Sequence, residues 1–525
     1  MAANEKIGDQ LNQWRYPVFT VGPGEDDLKR RILHEGYLAG MNISDSEWDV
    51  HCSAVDSVLD TVLLGLKKYA REEFTGLIVH GYVRQGSSRE GLRVNDALEF
   101  DCLVKFEIEG MRWTECPVYD YSGEQMVELI KLRVENPEYL LRNYPWLNCN
   151  DIFTETGFYD TTYYINTQNL QEKVFKSLLD KTRQQICEQL PYDDRTVYAF
   201  RRSVSPPTFP IRISLDREIS YVRNLYSNVT LESRNQSFKT NYGHLPTLDI
   251  DFVPALMLRK DYVPNPYTVN QVTYGETEMT CAVYAVMKWA RRLHESDQTI
   301  DHDYLWREST CGYEKHINDV GRRNPSQRYL MTACRIVKSY VAWMKSNRRN
   351  TNQLHRVAVS YYLKNICFHC IALLTVPRKT KSLSGVKEAL GYFLLFLEFC
   401  IDNRNLPHFF YGNPWVHDMF PNCTFGCNKS KKNLYSRLSM GTFVQAESAF
   451  RNMLQDLKGM YKEFDKLDSD RVGPFKELLG LSHAYRVPQK TVCAIPCSLS
   501  VVLALCVIVV GIVVAVVTNL MNNRS

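Results

Sequence analysis

The sequence predicts an α+β protein with a mixed first part, a helical-bundle second part and one transmembrane helix near the end. Three observations predict it. Short apolar strand candidates lie between residues 77 and 253, amphipathic stretches of helical length fill residues 327 to 467, and Ser500 to Thr518 runs SVVLALCVIVVGIVVAVVT without a charge. With 525 residues, 45% hydrophobic and 23% charged, the chain has room for two or three domains.

The first part, residues 45–265, opens with Asp45 to Arg71, where Val55, Val58, Leu59, Val62, Leu63 and Leu66 recur at helical spacing. Strand candidates follow at Leu77 to Val83, Glu99 to Phe106, Ile211 to Ile219 and Leu248 to Val253. In the second part, residues 266–467, helices are expected over Gln327 to Lys345, Arg356 to Thr375, Val386 to Asn403 and Gln445 to Leu467. Ser384 and Ser439 have the chemistry of helix-starting residues. Residues 468–497, with Gly473-Pro474, Pro488 and Pro496, read as a linker.

Residues 498–518 read as the membrane anchor. At about 1.5 Å per residue an uncharged stretch of this length covers about 30 Å of hydrocarbon. With no apolar signal before it, the expectation is a C-terminal tail anchor of a single-pass protein whose catalytic part stays in the cytosol. Arg486 and Lys490 upstream agree with that orientation, and the sequons at Asn228 and Asn422 would test it. Sixteen scattered cysteines form no disulfide framework and suit a reducing compartment. The net charge of +4, from 63 basic and 59 acidic residues, is too small to argue for nucleic acid, which requires a local cluster of basic residues.

The chemistry concentrates in Gly86-Ser87 and the segment Glu99-Phe100-Asp101-Cys102-Leu103-Val104-Lys105-Phe106. On a strand, alternation puts Glu99 and Asp101 on one face and Phe100 and Cys102 on the other. Converging carboxylates suit Mg²⁺ or Mn²⁺ held jointly with substrate phosphates. A third carboxylate comes from Leu248-Asp249-Ile250-Asp251-Phe252-Val253-Pro254 if that strand is a neighbour. A paired acidic triplet alone means little, since roughly six or seven arise by chance in a chain of this composition. A Gly-Ser pair at a fixed distance upstream lowers that expectation to about 0.1 per chain. Such a turn lets backbone N–H groups and a hydroxyl approach a triphosphate.

Gly-Ser, eleven residues and then Glu-Phe-Asp resembles the DNA polymerase β-type nucleotidyltransferase signature. The order of the pieces is similar to cyclic GMP-AMP synthase and the Mab-21 proteins, from the helix near residue 50 to about residue 465. The match is weakest between Met111 and Tyr198, which reads as an insertion. The resemblance implies a polymerase β-like core and metal binding, hence catalysis, by Glu99, Asp101 and Asp251, Asp251 fitting the pattern better than Asp249. It implies triphosphate contact by Gly86 and Ser87. Trp306 to Lys315 is similar to the family's base-contacting segment, which assigns Arg307 and Ser309 to a nucleobase. Lys338 matches a phosphate-contacting lysine, and Ser360-Tyr361 a pair whose ring stacks on a base. Without the acidic motif, a solvated lysine and a core tyrosine would be the ordinary readings.

The family's vertebrate enzyme carries a zinc-binding insertion where this chain has Arg322 to Arg328 without a ligand cluster. The resemblance then implies double-stranded RNA, or an unknown trigger, ahead of DNA as activator. His417, Cys423 and Cys427 offer only three ligands at irregular spacing, and a loop with buried or free thiols is the plainer reading. Basic residues that would meet nucleic acid are Lys67, Lys68 and Arg71, with Arg291-Arg292, Arg322-Arg323 and Arg348-Arg349. Glu72 and Glu73 follow the first group directly, so a solvated helix face competes with that reading.

The functional expectation is an enzyme that joins ATP and/or GTP into a cyclic dinucleotide when a ligand activates it, serving as an innate immune sensor. Two alternatives stay open: a catalytically silent membrane-bound interaction module, and a template-independent transferase acting on RNA ends.

Overall fold

The computed structural model describes residues 13–17, 19–95, 99–120, 123–156, 161–189, 198–200, 209–214, 247–263, 279–287, 302–321, 324–347, 353–375, 382–420, 423, 425 and 430–481. The chain divides into a unit of residues 1–479 and a second, 480–525; only the first unit is described in any depth.

After helix α1 (Asp26–His34), the long helix α2 spans Asp45–Glu73. Ser44 caps it by accepting from the Glu47 amide at 3.1 Å, with Glu47 at the position a capping box requires. Its buried stripe of Trp48, Val55, Val58, Leu59, Val62, Leu66 and Ala70 keeps the spacing of one helix face, and each large side chain contributes roughly 1.5–3 kcal/mol of burial. That stripe packs on β1 (Leu77–Gln85) and on the apolar face of β2 (Glu99–Ile108), where Phe100, Cys102 and Phe106 are buried.

Eleven strands join one sheet among the described residues. Those following β2 are β3 (Trp113–Tyr119), β4 (Gln125–Val134), β5 (Phe153–Thr156), β6 (Thr162–Ile165), β7 (Tyr198–Phe200), β8 (Phe209–Ser214), β9 (Thr247–Val263), β10 (Met279–Met287) and β11 (Leu305–Ser309). The main path runs β1-β2-β9-β10-β11-β4-β6-β5. β2 and β9 are parallel neighbours, which requires a crossover rather than a hairpin. The stretch expected to be an insertion is part of this sheet: β4 pairs with β11, with Arg307 opposite Leu129.

Helix α3 (Gly86–Glu90) is a single turn between β1 and β2. The helical part comprises α4 (Cys311–Gly321), α5 (Pro325–Asn347), α6 (Ser360–Thr375), α7 (Val386–Asp402), α8 (Met440–Asp456) and α9 (Ser469–Leu478). α5 is buried nearly all round, as a helix central to a bundle should be. α7 starts at Val386, and its cap is Gly385, with no side chain to offer, rather than the expected Ser384. Glu25 substitutes from afar, accepting from the Val386 amide at 2.7 Å and the Lys387 amide at 2.9 Å.

Ser439 caps α8 as expected, but that helix starts at Met440 and stops at Asp456 instead of covering Gln445 to Leu467. Gly459 then takes a left-handed φ of +82° that turns the chain. Residues 469–478, within the segment read as a linker, form α9, and its Phe475 stacks on Phe396 at 4.8 Å.

The expected C-terminal transmembrane helix, and the tail-anchored single-pass location derived from it, are corrected. Among the described residues no helix is long and apolar enough to cross a membrane. The longest, α2 and α5, carry charges such as Lys67 and Arg71, or Arg335 and Lys345. Ser500 to Thr518, the two sequons and the paired arginines at 291–292, 322–323 and 348–349 lie outside the described residues.

Candidate active site

The register of β2 against β9 sets the site. Glu99 lies opposite Asp249 and Asp101 opposite Asp251. Residues two apart share a face of a strand, and adjacent strands stand about 4.8 Å apart. Four carboxylates therefore occupy one face at two neighbouring rungs, while Phe100, Ile250 and Phe252 fill the core behind them.

Burial and mutual repulsion raise the pKa of two of them. Asp101 is pushed up to about 7, first by burial and then by the charges of Glu99 and Asp251, with Lys364 opposing. Asp251 is pushed up to about 6 by burial, Glu99 and Asp249. Such a group favours either protonation or a cation. The donors are all carboxylate oxygens, the chemistry of a site for Mg²⁺ or Mn²⁺ rather than zinc. Glu99 is paired, with Arg93 Nη1 at 2.8 Å from its Oε2. Among the described residues no three His, Cys, Asp or Glu side chains stand close enough together to hold an ion.

Gly86 is required on two counts. Its φ is +74°, and a Cβ there would lie 1.8 Å from Asp101 Oδ2. The turn closes as Gly91, also left-handed, donates to the Ser87 carbonyl. Ser88 Oγ donates to the Glu99 carbonyl at 2.7 Å, tying this turn to β2.

A cavity of about 1120 Å³ opens beside these groups. Gly86, Ser87, Glu99, Asp101, Arg307, Ser309, Lys338, Ser360 and Tyr361 line it; Asp251, beside Asp101 as its strand partner, does not. Arg307 is exposed on β11, whereas Ser309 Oγ accepts from the Cys311 amide at 3.4 Å. Lys338 lines the cavity as well, and its buried Nζ gives one of its three protons to the Leu92 carbonyl at 2.7 Å. Burial lowers it to about 8. Here it tethers the chain that follows α3.

Sequence reasoning missed Glu90, Glu314, Lys364 and His408, all of which line the cavity. Lys364 Nζ sits between Glu90 Oε1 at 3.1 Å and Glu314 Oε2 at 2.9 Å. Although burial works against its charge, Glu314 and Glu90 hold it above the ordinary lysine range. Glu90 is raised to about 7 by burial first and Glu314 next, with Lys364 opposing. Lys364 follows Ser360 by four residues on one helix, so helical spacing from the Ser360-Tyr361 pair could have found it. His408 carries no local sequence signal.

No protein-family model matches this chain, and no curated protein matches it. Among solved structures, that of E. coli MS115-1 CdnC with ATP is similar at 11% identity, covering 88% of this chain and 98% of that one, with a TM-score of 0.39. A likeness that faint carries no argument, and the functional reading rests on the residues above.

Proposed function

We propose that this protein is a metal-dependent nucleotidyltransferase that joins ATP and/or GTP into a cyclic dinucleotide after a ligand activates it, as an innate immune sensor. The observation that carries the reading is the parallel register putting Asp101 beside Asp251, with Glu99 on the same face, next to the Gly86-Ser87 turn and a cavity of nucleotide size.

Glu99, Asp101 and Asp251 would hold Mg²⁺ or Mn²⁺. Bound there, the ion would lower the pKa of a ribose hydroxyl and neutralise charge building on the leaving pyrophosphate. In the reaction, a ribose oxygen forms a bond to an α-phosphorus and the bond to pyrophosphate breaks. The turn at Gly86 offers a backbone amide and the Ser87 hydroxyl to the triphosphate. Arg307 and Ser309 would read a base edge and Ser360 would flank Tyr361, whose ring would stack on a base; all four line the cavity. Lys338 would contact phosphate, and Lys364, positively charged between two glutamates, would add a second cation to the same cavity. Lys67, Lys68 and Arg71 on α2 are the described candidates for contact with double-stranded RNA ahead of DNA.

The Arg93–Glu99 pair favours a second reading, a catalytically silent interaction module, because it already engages one of the three carboxylates in an ion pair. A template-independent RNA-end transferase differs in giving a linear product. The test incubates the full chain with labelled ATP and GTP, Mg²⁺ or Mn²⁺, and double-stranded RNA or DNA, beside Glu99→Ala and Asp101→Ala. A cyclic product absent from both variants supports the synthase, and a linear one the transferase. Bound nucleotide without product under every ligand supports the silent module.

A further inference from the structure

The segment from Pro407 to Phe410 is laced to one face of α6. Along that helix Tyr361, Asn365 and His369 recur every four residues, and each bonds to it. Tyr361 Oη lies 2.7 Å from His408 Nε2, Asn365 Oδ1 accepts from the Phe409 amide at 2.9 Å, and His369 Nε2 meets the Pro407 carbonyl at 2.9 Å. Asn365 also donates to the Tyr361 carbonyl at 2.9 Å, so one amide grips both chains.

His408 itself is 3% exposed. Its backbone amide donates to the Lys432 carbonyl at 2.7 Å, and its ring lies 4.4 Å from that of Tyr411. The Phe410 amide donates to His408 Nδ1 at 3.1 Å. A backbone N–H can only donate, so Nδ1 carries its lone pair and the proton of the neutral ring sits on Nε2. Burial favours that neutral form. His408 is therefore the donor to Tyr361, whose hydroxyl keeps its own proton for an acceptor in the cavity. Tyr361 is 42% exposed, and Lys364 Nζ lies 5.7 Å from its ring centroid. Unheld, a ring this exposed would sample several rotamers, and binding a base would have to fix one of them.

We infer that His408 is a positioning residue: through its bond to the Tyr361 hydroxyl it holds that ring as a fixed stacking platform for a nucleobase. This rests on the reading of the cavity as a nucleotide site. A neutral hydrogen bond contributes about 0.5–1.5 kcal/mol, so losing it should weaken nucleotide binding roughly two- to tenfold.

The experiment measures ATP and GTP binding to the full chain by calorimetry, and KM and kcat wherever turnover occurs. It compares His408→Ala, His408→Gln, Tyr361→Phe and the double variant His408→Ala with Tyr361→Phe. The expected result is weaker binding in both truncating single variants and a double variant no worse than either, since both remove one bond. His408→Gln, whose amide can still donate to the hydroxyl, should recover most of the affinity, and KM should change more than kcat. Tyr361→Phe changes a partly exposed hydroxyl and tests the bond even if His408→Ala does not fold. A wild-type chain that binds neither nucleotide overturns the nucleotide-site reading and this inference with it. A wild type that binds, with Tyr361→Phe unchanged or with additive losses in the double variant, overturns the positioning role alone.

Discussion

Replacing Gly86 by alanine separates what the backbone needs from what the carboxylates need. Gly86 has φ +74° and Gly123 has φ +81°, so alanine at either meets the same left-handed penalty, about 1–2 kcal/mol. At Gly123 nothing lies within 4 Å of the added Cβ, whereas at Gly86 it meets Asp101 Oδ2 at 1.8 Å. Relieving that overlap, by moving Asp101 or the turn, should add about 1–3 kcal/mol, the usual cost of overpacking. Gly86→Ala should therefore destabilise by about 2–5 kcal/mol in chemical denaturation, against about 1–2 for Gly123→Ala. Displacing a carboxylate should also lower Mn²⁺ affinity about tenfold or more, as disturbances of ligand orientation do, while Gly123→Ala leaves it unchanged. Equal destabilisation by the two variants, with Mn²⁺ binding intact in Gly86→Ala, would refute the reasoning.

Two further outcomes follow. Asp101 and Glu90 are raised to about 7 and Asp251 to about 6, so between pH 5 and 7 the folded chain keeps protons that the unfolded chain, with carboxylates near 4, has released. These carboxylates lower stability as pH rises through that window, while His369 and His408, held neutral by burial, raise it. The carboxylate share is the stability of wild type minus that of Asp101→Asn, which should fall as pH rises unless Mg²⁺ is present at pH 7.5; a difference that ignores both pH and Mg²⁺ would contradict the carboxylate cluster. Arg335, 1% exposed, donates to the carbonyls of Pro17 at 2.6 Å, Arg93 at 3.0 Å and Met41 at 3.3 Å. Arg335→Ala orphans all three and should cost about 3–5 kcal/mol, with faster amide exchange over residues 91–95; a loss under about 1 kcal/mol would contradict its role as a tie between the two halves.

Local patterns were legible wherever one face of an element is buried. The stripe on α2, the alternation of β2 and the cap at Ser439 could all be read from residue spacing, because burial and capping act within a few residues. The strands between residues 113 and 165 could not. On β3 the exposed positions 115, 117 and 119 do alternate with 116 and 118, but they carry Glu, Pro and Tyr, so hydrophobicity does not mark the buried face, and β4 finds its place through long-range pairing with β11. The site was legible for residues in β2, β9 and the Gly86 turn, whose chemistry is carried by spacing along a strand. Lys364 and Glu314 needed the meeting of α3, α4 and α6, and His408 needed a segment folded back on α6. Lys338 was expected to contact phosphate, and no sequence pattern foretells the further bond from its amine to the carbonyl of Leu92.

The most direct measurement is a crystal structure of the full chain with Mn²⁺ and a non-hydrolysable nucleoside triphosphate, recorded at the manganese absorption edge. The nucleotidyltransferase reading predicts an anomalous peak between the carboxylates of Asp101 and Asp251, with Glu99 released from Arg93 and the triphosphate against Gly86 and Ser87. Nucleotide bound in the cavity with no manganese at those carboxylates, or with Glu99 still paired to Arg93, would contradict it.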